Sequence, residues 1–469
     1  MGNVGSQWRS LVSSQSGRST VSADTELRSG SRIGIIGGGP AGSLTAYFLL
    51  KIAEHAGLDL YVDIYEPKDF SRCGPAGCNM CGGVISESLV QMLATEGINM
   101  PHSVVQRGIS SYVLHTDASA VRIRTPAEEM RIACVHRGCG PKGSEAGSWQ
   151  SFDGFLLNLA CQKGARHVPH RVEALEWLDG RPMIRPRQGC EQSYDLVVGA
   201  VGVNSESVKL FEHVCSGLRR PKTTRACIAE IWLGRDQVES CLGSAMHVFL
   251  LNLPRLEFAA LIPKGDYVTT CVLGHDVDQQ LLRTFLNTAE ARACFPPDFD
   301  ASSPPCRCGP RINIAAAQPC FGDRIVLVGD CGVSRLYKDG IGAAYRAAKA
   351  CAVTAVFHGV SERDFAHYYW PTCRRLQLDN RVGKLLFFCG GMFRKIPFLR
   401  SGMLRMVADE QRVSGPCPIM SKVLWDMFTG SAPYLDILLR MAKPKFLYDF
   451  LSNCIGVLLR LSPSRVATS

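Results

Sequence analysis

Glycines 37, 39 and 42, within the run Gly34 to Gly42 (GIIGGGPAG), have the spacing that holds a phosphate against main-chain N–H groups. In such a loop the first glycine turns the chain, the second lets the backbone approach a pyrophosphate, and the third lets helix and strand pack closely. Glu66 closes a second apolar run, where its carboxylate can accept both hydroxyls of an adenosine ribose and would repel a 2′-phosphate. A second group lies far along the chain. Gly329 and Asp330 end the run Ile325 to Asp330 (IVLVGD), and Gly340 and Gly342 open a small-residue segment beyond it. An acid at a strand end can hold a polyol hydroxyl, or a pyrophosphate through water, and N–H groups near Gly340 and Gly342 can meet ring oxygens or phosphate.

Positioning these residues requires strands that end where the glycines begin. Ile33 to Ile36 and Leu60 to Tyr65 read as short buried strands, and Ala41 to Ala56 reads as the helix between them. Pro40 suits the first helical turn, where its missing N–H is no loss. Tyr194 to Ser205 (YDLVVGAVGVNS) predicts another strand running into a glycine turn, Arg324 to Val328 a further buried strand, and Gly342 to Val356 a helix. Between them, Val104 to Arg124 predicts a hairpin turning at Asp117 to Ser119. Ala226 to Trp232, Met246 to Leu251, Phe258 to Ile262 and Tyr267 to Leu273 predict a mostly antiparallel sheet. A Pro-rich loop, Pro296 to Pro310, leads out of it, and there is no internal repeat.

At 469 residues, 46% hydrophobic and 20% charged, the chain is long enough for two or three globular units. Its 21 cysteines are scattered, which predicts thiols in a cytoplasm rather than a disulfide framework. Cys73, Cys78 and Cys81 have the spacing of three ligands of a plant-type iron–sulfur cluster, but no fourth thiol follows closely, so no metal is assigned. His167 and His170 read as a solvated pair. The formal charge is +10, and most of it falls in residues 381–469, where Lys384, Arg394, Lys395 and Arg400 interrupt Leu385, Phe388, Met392 and Phe398. Basic and apolar groups at helical spacing predict docking to an anionic membrane surface rather than to nucleic acid. No uncharged apolar run reaches the roughly 18 residues of a spanning helix. Residues 1–31 are Ser- and Arg-rich and predict a disordered tail, with a myristoylation pattern at Gly2 and a transit-peptide bias as competing targeting readings.

Three glycine-bearing elements in this order resemble the FAD-dependent oxidoreductases of the para-hydroxybenzoate hydroxylase type, and within them the geranylgeranyl reductase family. The likeness runs from about Ile33 to Ala355. It is carried by Gly37, Gly39, Gly42 and Glu66; by Cys81-Gly82-Gly83-Val84-Ile85, similar to the reductases' Cys-Gly-Gly loop; by Arg137 ahead of Phe152-Asp153-Gly154-Phe155-Leu156; by the turn near Gly199; and by Gly329-Asp330. The resemblance implies an α/β fold: a discontinuous Rossmann-type FAD-binding domain (32–205 and 306–380), an inserted mostly antiparallel β-sheet substrate domain (206–305), and a basic amphipathic helical C-terminal region (381–469). It implies FAD contacts from Gly37, Gly39, Ala41, Gly42, Glu66, Arg137, Gly329, Asp330 and Gly342. Cys81 would be the thiol beside the flavin, with Tyr337 or water as rival proton sources. Phe258 to Lys264 is similar to the strand that shapes those enzymes' lipid tunnel.

Three positions depart from the pattern: Val201 stands where the middle motif has an acid, Ala260 where the tunnel strand has a Trp, and Cys331 to Asp339 lacks the hydroxylases' His and Pro. The activity implied is reduction of a carbon–carbon double bond in an apolar, isoprenoid or lipid-like substrate. An FAD-dependent monooxygenase and a non-catalytic flavin or lipid-binding protein are the alternatives. No second G-x-G-x-x-G follows a strand, so NAD(P)H docking transiently, or a small electron carrier, is the expected reductant. No sequence feature sets an oligomeric state.

Overall fold

The computed structural model describes residues 25–125, 128–144, 149–215, 217–301, 306–412 and 418–459. The myristoylation pattern and most of the predicted tail lie outside them. Residues 25–31, expected to be disordered, instead pack on the domain behind them. Leu27 is buried, the Gly30 N–H bonds the Asp59 carbonyl at 2.7 Å, and the Thr25 carbonyl accepts the Val360 N–H.

A six-stranded sheet runs in the order Phe321–Gly322, Ile325–Leu327, Leu196–Gly199, Arg32–Ile36, Tyr61–Tyr65, Arg166–Val168. All neighbours are parallel except the first pair. A parallel strand is covered on both faces, which is why Ile33, Ile35, Val197, Val198 and Val326 form uninterrupted apolar runs and are all fully buried. The helices Pro40–His55, Phe152–Gln162 and Gly340–Phe357 share its core. The first begins at Pro40, where the missing N–H is free of consequence, and the last is rich in alanine, which lets it lie close against Pro40–His55.

The second large sheet is ordered Cys306–Cys308, Lys222–Trp232, Tyr267–Gly274, Leu256–Lys264, Ala245–Leu250, Ser111–Thr116, Ala120–Arg124, with Arg311–Ala315 also pairing to Lys222–Trp232. It is antiparallel except where Ala245–Leu250 lies parallel to Ser111–Thr116. The hairpin turning at Asp117 to Ser119 therefore joins this sheet. Its expected start at Val104 is not part of it: Val105–Ile109 pairs with Ile132–Val135 in a separate small sheet. Cys306–Cys308 and Arg311–Ala315, which lie beyond the expected boundary at 305/306, are hydrogen-bonded to Lys222–Trp232 and belong to this second sheet, and the helix Trp370–Lys395 runs unbroken across residues 380 and 381.

One face of the large sheet, with Tyr112, Leu114, Val248, Phe258 and Ala260, is covered by the helices Trp370–Lys395, Pro397–Arg412, Ile419–Thr429, Tyr434–Met441 and Pro444–Leu458. The other face is covered by Arg235–Cys241, Gln279–Leu286 and Ala289–Arg292. The C-terminal helices are tied to the rest by Arg335. Its guanidinium is buried, donates to the Gly430 and Ala432 carbonyls, lies 3.6 Å from both Asp339 and Asp379, and stacks over Tyr434 at 4.6 Å. Removing one member of a buried ion pair typically costs about 3–5 kcal/mol because its partners stay buried. Arg335→Leu is therefore expected to lower the thermal midpoint by several degrees in a circular-dichroism melt, with Arg335→Lys in between; an unchanged midpoint would remove the clamp from this account.

Candidate cofactor-binding site

The turn after Arg32–Ile36 is shaped by contacts that leave no room for side chains. Gly37 has φ +107°, and a methyl group there would strike the Ala200 carbonyl; one on Gly42 would strike the Gly37 carbonyl. Gly39 differs, since a methyl group there would meet only the Asn79 amide nitrogen, at 3.5 Å. The outer side of the turn is thus open where a pyrophosphate would lie. Gly39 caps the helix with extended backbone and no side-chain bond, leaving first-turn N–H groups, including that of Ala41, for an anion.

Glu66 stands over this turn. Its Oε2 accepts the Gly38 N–H and its Oε1 the Lys68 N–H, both at 2.9 Å. Burial raises its pKa, opposed by those two N–H groups and by the Lys68 charge. The carboxylate is thereby aimed before any ligand arrives, with lone pairs left for ribose hydroxyls. Gly38, which the spacing argument passed over, belongs to the same device: a methyl group on it would lie 2.7 Å from the Glu66 Cβ. The signal was the third adjacent glycine.

Lys68 also donates to the Asn79 side chain and the Cys78 carbonyl, both at 2.8 Å. Asn79 donates to Asp153, and Asp153, fully buried at the start of its helix, takes Arg137 in a two-point pair. Burial works against the Arg137 charge, but the Asp153 carboxylate together with the Cys81 and Cys78 sulfurs raises its pKa. Arg137 is thus fixed beside Cys78 and Cys81 through Asp153.

From the far end of the chain, Gly329, at φ +77°, presses on the first motif: a methyl group on it would be 2.7 Å from the Ala41 Cβ. The two glycine elements are in contact. Asp330 follows, its carbonyl accepting the Asn313 amide at 2.9 Å and its Oδ1 beside Gly340. Gly342 acquires a reason of a different kind. A methyl group there would collide with the Asp339 carboxylate, which is held by Ser86 at 2.7 Å, Arg346 at 3.0 Å and Arg335.

The Cys81-Gly82-Gly83 loop lies on the inserted sheet. The open side of Gly82 faces the Cys271 Sγ and Ile262, and Gly83 abuts the Val135 carbonyl and Lys264. The Cys81 Sγ accepts the Gly83 N–H at 3.4 Å. Ala260 is the cross-strand partner of Cys271, so the departure at this position falls on the face that meets the loop. Over the same face sit Phe258, Tyr337, Phe387 and Phe428. Among them, Lys338 places its ammonium 4.2 Å from the Phe258 ring centre and 6.0 Å from that of Phe428. Burial pulls its pKa down to about 8, and burial pushes that of Tyr337 up. Tyr337 and Asp339, on either side of Lys338, both have positive φ, a conformation that non-glycine residues adopt at an energetic cost. Lys338 carries no local motif, and sequence reasoning missed it.

The three cysteines at cluster spacing do not converge. Cys73 bonds the Cys139 carbonyl, while the Cys78 and Cys81 sulfurs accept separate backbone N–H groups. His167 lies on a strand, its ring 2.9 Å from the Glu66 carbonyl.

No family model matches the chain, and no curated protein does. Solved structures do. A geranylgeranyl bacteriochlorophyll reductase-like protein from Thermoplasma acidophilum superposes with TM-score 0.59 at 16% identity, over 90% of this chain and 99% of its own. A flavoprotein/dehydrogenase from Cytophaga hutchinsonii gives 0.57 at 15%, over 92% and 97%. A variant of halogenase PltM in complex with FAD gives 0.56 at 14%, over 93% and 92%. The chain shares the fold of these three proteins.

Proposed function

We propose that this chain is an FAD-dependent oxidoreductase that reduces a carbon–carbon double bond of an apolar, isoprenoid or lipid-like substrate at a membrane surface. The observation that carries this reading is the meeting of the Cys81 loop, the apolar strand through Ala260 and the aromatic group around Lys338. FAD would be held by the N–H groups of the Gly37 to Gly42 turn, by Glu66 at the ribose, by Arg137, and by the Gly329-Asp330 element reaching the helix at Gly340. Bound there, it supplies hydride transfer. The chain supplies the rest. Phe258, Phe387 and Phe428 exclude water, and Lys338 keeps a proton at its Nζ that it can give to the substrate, ahead of Cys81 and Tyr337.

A reductant has a separate place to dock. A polar cleft of about 570 Å³ separates the Val203 to Val208 loop from the edge of the large sheet. Arg225 and Arg311, directly opposite each other on paired strands, both line it, with Arg307 nearby. Arg220 lines it too, so four arginines face the carboxylates of Glu206 and Asp278, and this excess of positive charge supports NAD(P)H, with its phosphates, over an uncharged donor.

The membrane side rests on the C-terminal helices. No described helix is long and apolar enough to cross a bilayer. Yet Phe388 and Tyr448 are more than 70% exposed, with Leu451, Ile455 and Leu458 exposed on the last helix and Lys384, Lys443 and Lys445 exposed beside them. Apolar groups with a basic rim suit the headgroup boundary of an anionic leaflet.

Three measurements test the reading. Reduced anaerobically and mixed with polyprenyl lipids, the flavin-loaded protein should reoxidise faster than its oxygen background. A donor must be protonated, so the rate should hold below about pH 8, where Lys338 keeps its proton, and fall above it. Lys338→Met should slow it by about 10²–10⁴-fold, the range for general acids, and abolish that pH step. If no lipid accelerates reoxidation, the reductase assignment is wrong. Arg225→Glu with Arg311→Glu should raise KM for NADPH by about tenfold or more, equivalent to roughly 1.4 kcal/mol, with kcat little changed. In flotation assays the chain should bind phosphatidylserine vesicles and not neutral ones, and Lys443→Glu with Lys445→Glu should weaken binding by about thirtyfold or more, from about 1 kcal/mol per basic residue lost.

A further inference from the structure

One buried group of side chains serves neither the nucleotide turn nor the Lys338 surroundings. In the parallel pair, His247 stands beside Val113 and Phe249 beside His115, so the two histidines are diagonal neighbours on one face of the sheet. It is the face away from the C-terminal helices, packed under Gln279–Leu286 and Ala289–Arg292. Cys294, just past that last short helix, comes down onto them. The His115 Nε2 is 2.9 Å from the His247 Nδ1, and the Cys294 Sγ is 3.2 Å from the His247 Nδ1 and 3.8 Å from the His115 Nε2. Relative exposures are 9%, 7% and 3%, and Phe249 stacks on the His115 ring at 4.5 Å, holding its orientation.

Two imidazole nitrogens and a sulfur facing one point are donors a metal ion uses together. We propose that His115, His247 and Cys294 form a three-coordinate site for a single copper(I) ion. With metal–nitrogen bonds of about 2.0 Å and a metal–sulfur bond of about 2.3 Å, the nitrogens would stand roughly 3.5 Å apart, an opening of about half an ångström reached by small ring rotations. Charge selects the metal. Copper(I) and one thiolate sum to zero between two neutral rings, whereas zinc(II) would leave a net positive charge in an apolar layer, where an uncompensated charge is costly. Zinc also asks for a fourth donor, and among the described residues the group has three members. Soft thiolate with imidazole is a donor set that copper(I) accepts. Burial already keeps the rings neutral, drawing His115 to about 4 and His247 to about 3, and pushes the Cys294 thiol up to about 12. On binding, the sulfur–copper bond forms as the thiol proton leaves to solvent, and the copper keeps its oxidation state.

The site is independent of FAD, and so is its test. The full-length protein, reduced and kept anaerobic, is titrated with copper(I) against a chelator strong enough to strip ordinary surface thiols. One equivalent should be retained, and X-ray absorption of that form should show two nitrogen neighbours and one sulfur. Cys294→Ala and His247→Ala should each lose that equivalent, while Cys190→Ala, at an exposed thiol, should keep it. Equal retention by wild type and both variants, an all-sulfur copper environment, or retention of zinc but not copper would each overturn the proposal. Should a variant fail to fold, the absorption spectrum of the wild-type protein decides alone.

Discussion

Three segments far apart in sequence meet where no side chain fits, and the architecture follows from that contact. Gly42 lies against the Gly37 carbonyl, Gly37 against the Ala200 carbonyl, and Gly329 against Ala41. The ends of three neighbouring parallel strands are thus drawn to within a methyl group of one another. Since Gly329 must return to Ala41, the chain between Leu196–Gly199 and Phe321–Gly322 has to leave the sheet and come back. Most strands of the inserted sheet are formed in that excursion. The loop after Gly329 is then delivered to the seam between the two sheets, where Arg335 anchors the C-terminal helices and Lys338 faces Phe258.

Charge is distributed along this seam by necessity. A carboxylate buried without partners would take up a proton. Glu66 is steadied by two backbone N–H groups, Asp153 by Arg137 and Asn79, and Asp339 by Ser86, Arg346 and Arg335. Only the first has lone pairs turned toward the open side of the glycine turn. The other two hold main elements in place: Asp153 fixes Arg137 beside the Cys81 loop, and Asp339 occupies the space that Gly342 leaves. Lys338, by contrast, lies against aromatic faces, and its burial lowers its pKa to about 8.

The glycine turn and the strands around it were legible in the sequence because backbone requirements dictate residue type locally. Gly37, Gly39, Gly42 and Glu66 lie within one βαβ unit, and the doubly covered strands announce themselves as unbroken apolar runs. Four strands of the inserted sheet were legible too, within a few residues of their ends, whereas Cys306–Cys308, in the expected Pro-rich loop, and Arg311–Ala315 were not. Their partners were not. Nothing near Ser111–Thr116 says that it will run parallel to Ala245–Leu250, and nothing near Cys306–Cys308 says that it will pair with Lys222–Trp232, because pairing is decided by packing between segments well over a hundred residues, or close to eighty, apart. His115, His247 and Cys294, and likewise Lys338 with Phe258 and Phe428, converge only through such pairings.

The same division explains how the fold persists at 14–16% identity in proteins whose names describe different chemistries. A site made of main-chain N–H groups, close turns and one carboxylate tolerates replacement of almost every other side chain, since only the glycines and the acid are demanded by geometry. The face that meets the Cys81 loop is made of side chains: Ala260, Cys271, Ile262 and Phe258 on the sheet, Lys338 and Phe387 above it. There a single exchange, such as the alanine at 260 in place of an indole, changes the shape available without disturbing the strand that carries it, because Ala260 keeps its pairing with Cys271 through the backbone. The backbone turn and the side-chain face are therefore physically separable, and this chain can keep the turn of its structural neighbours while differing from them in the side chains that face it.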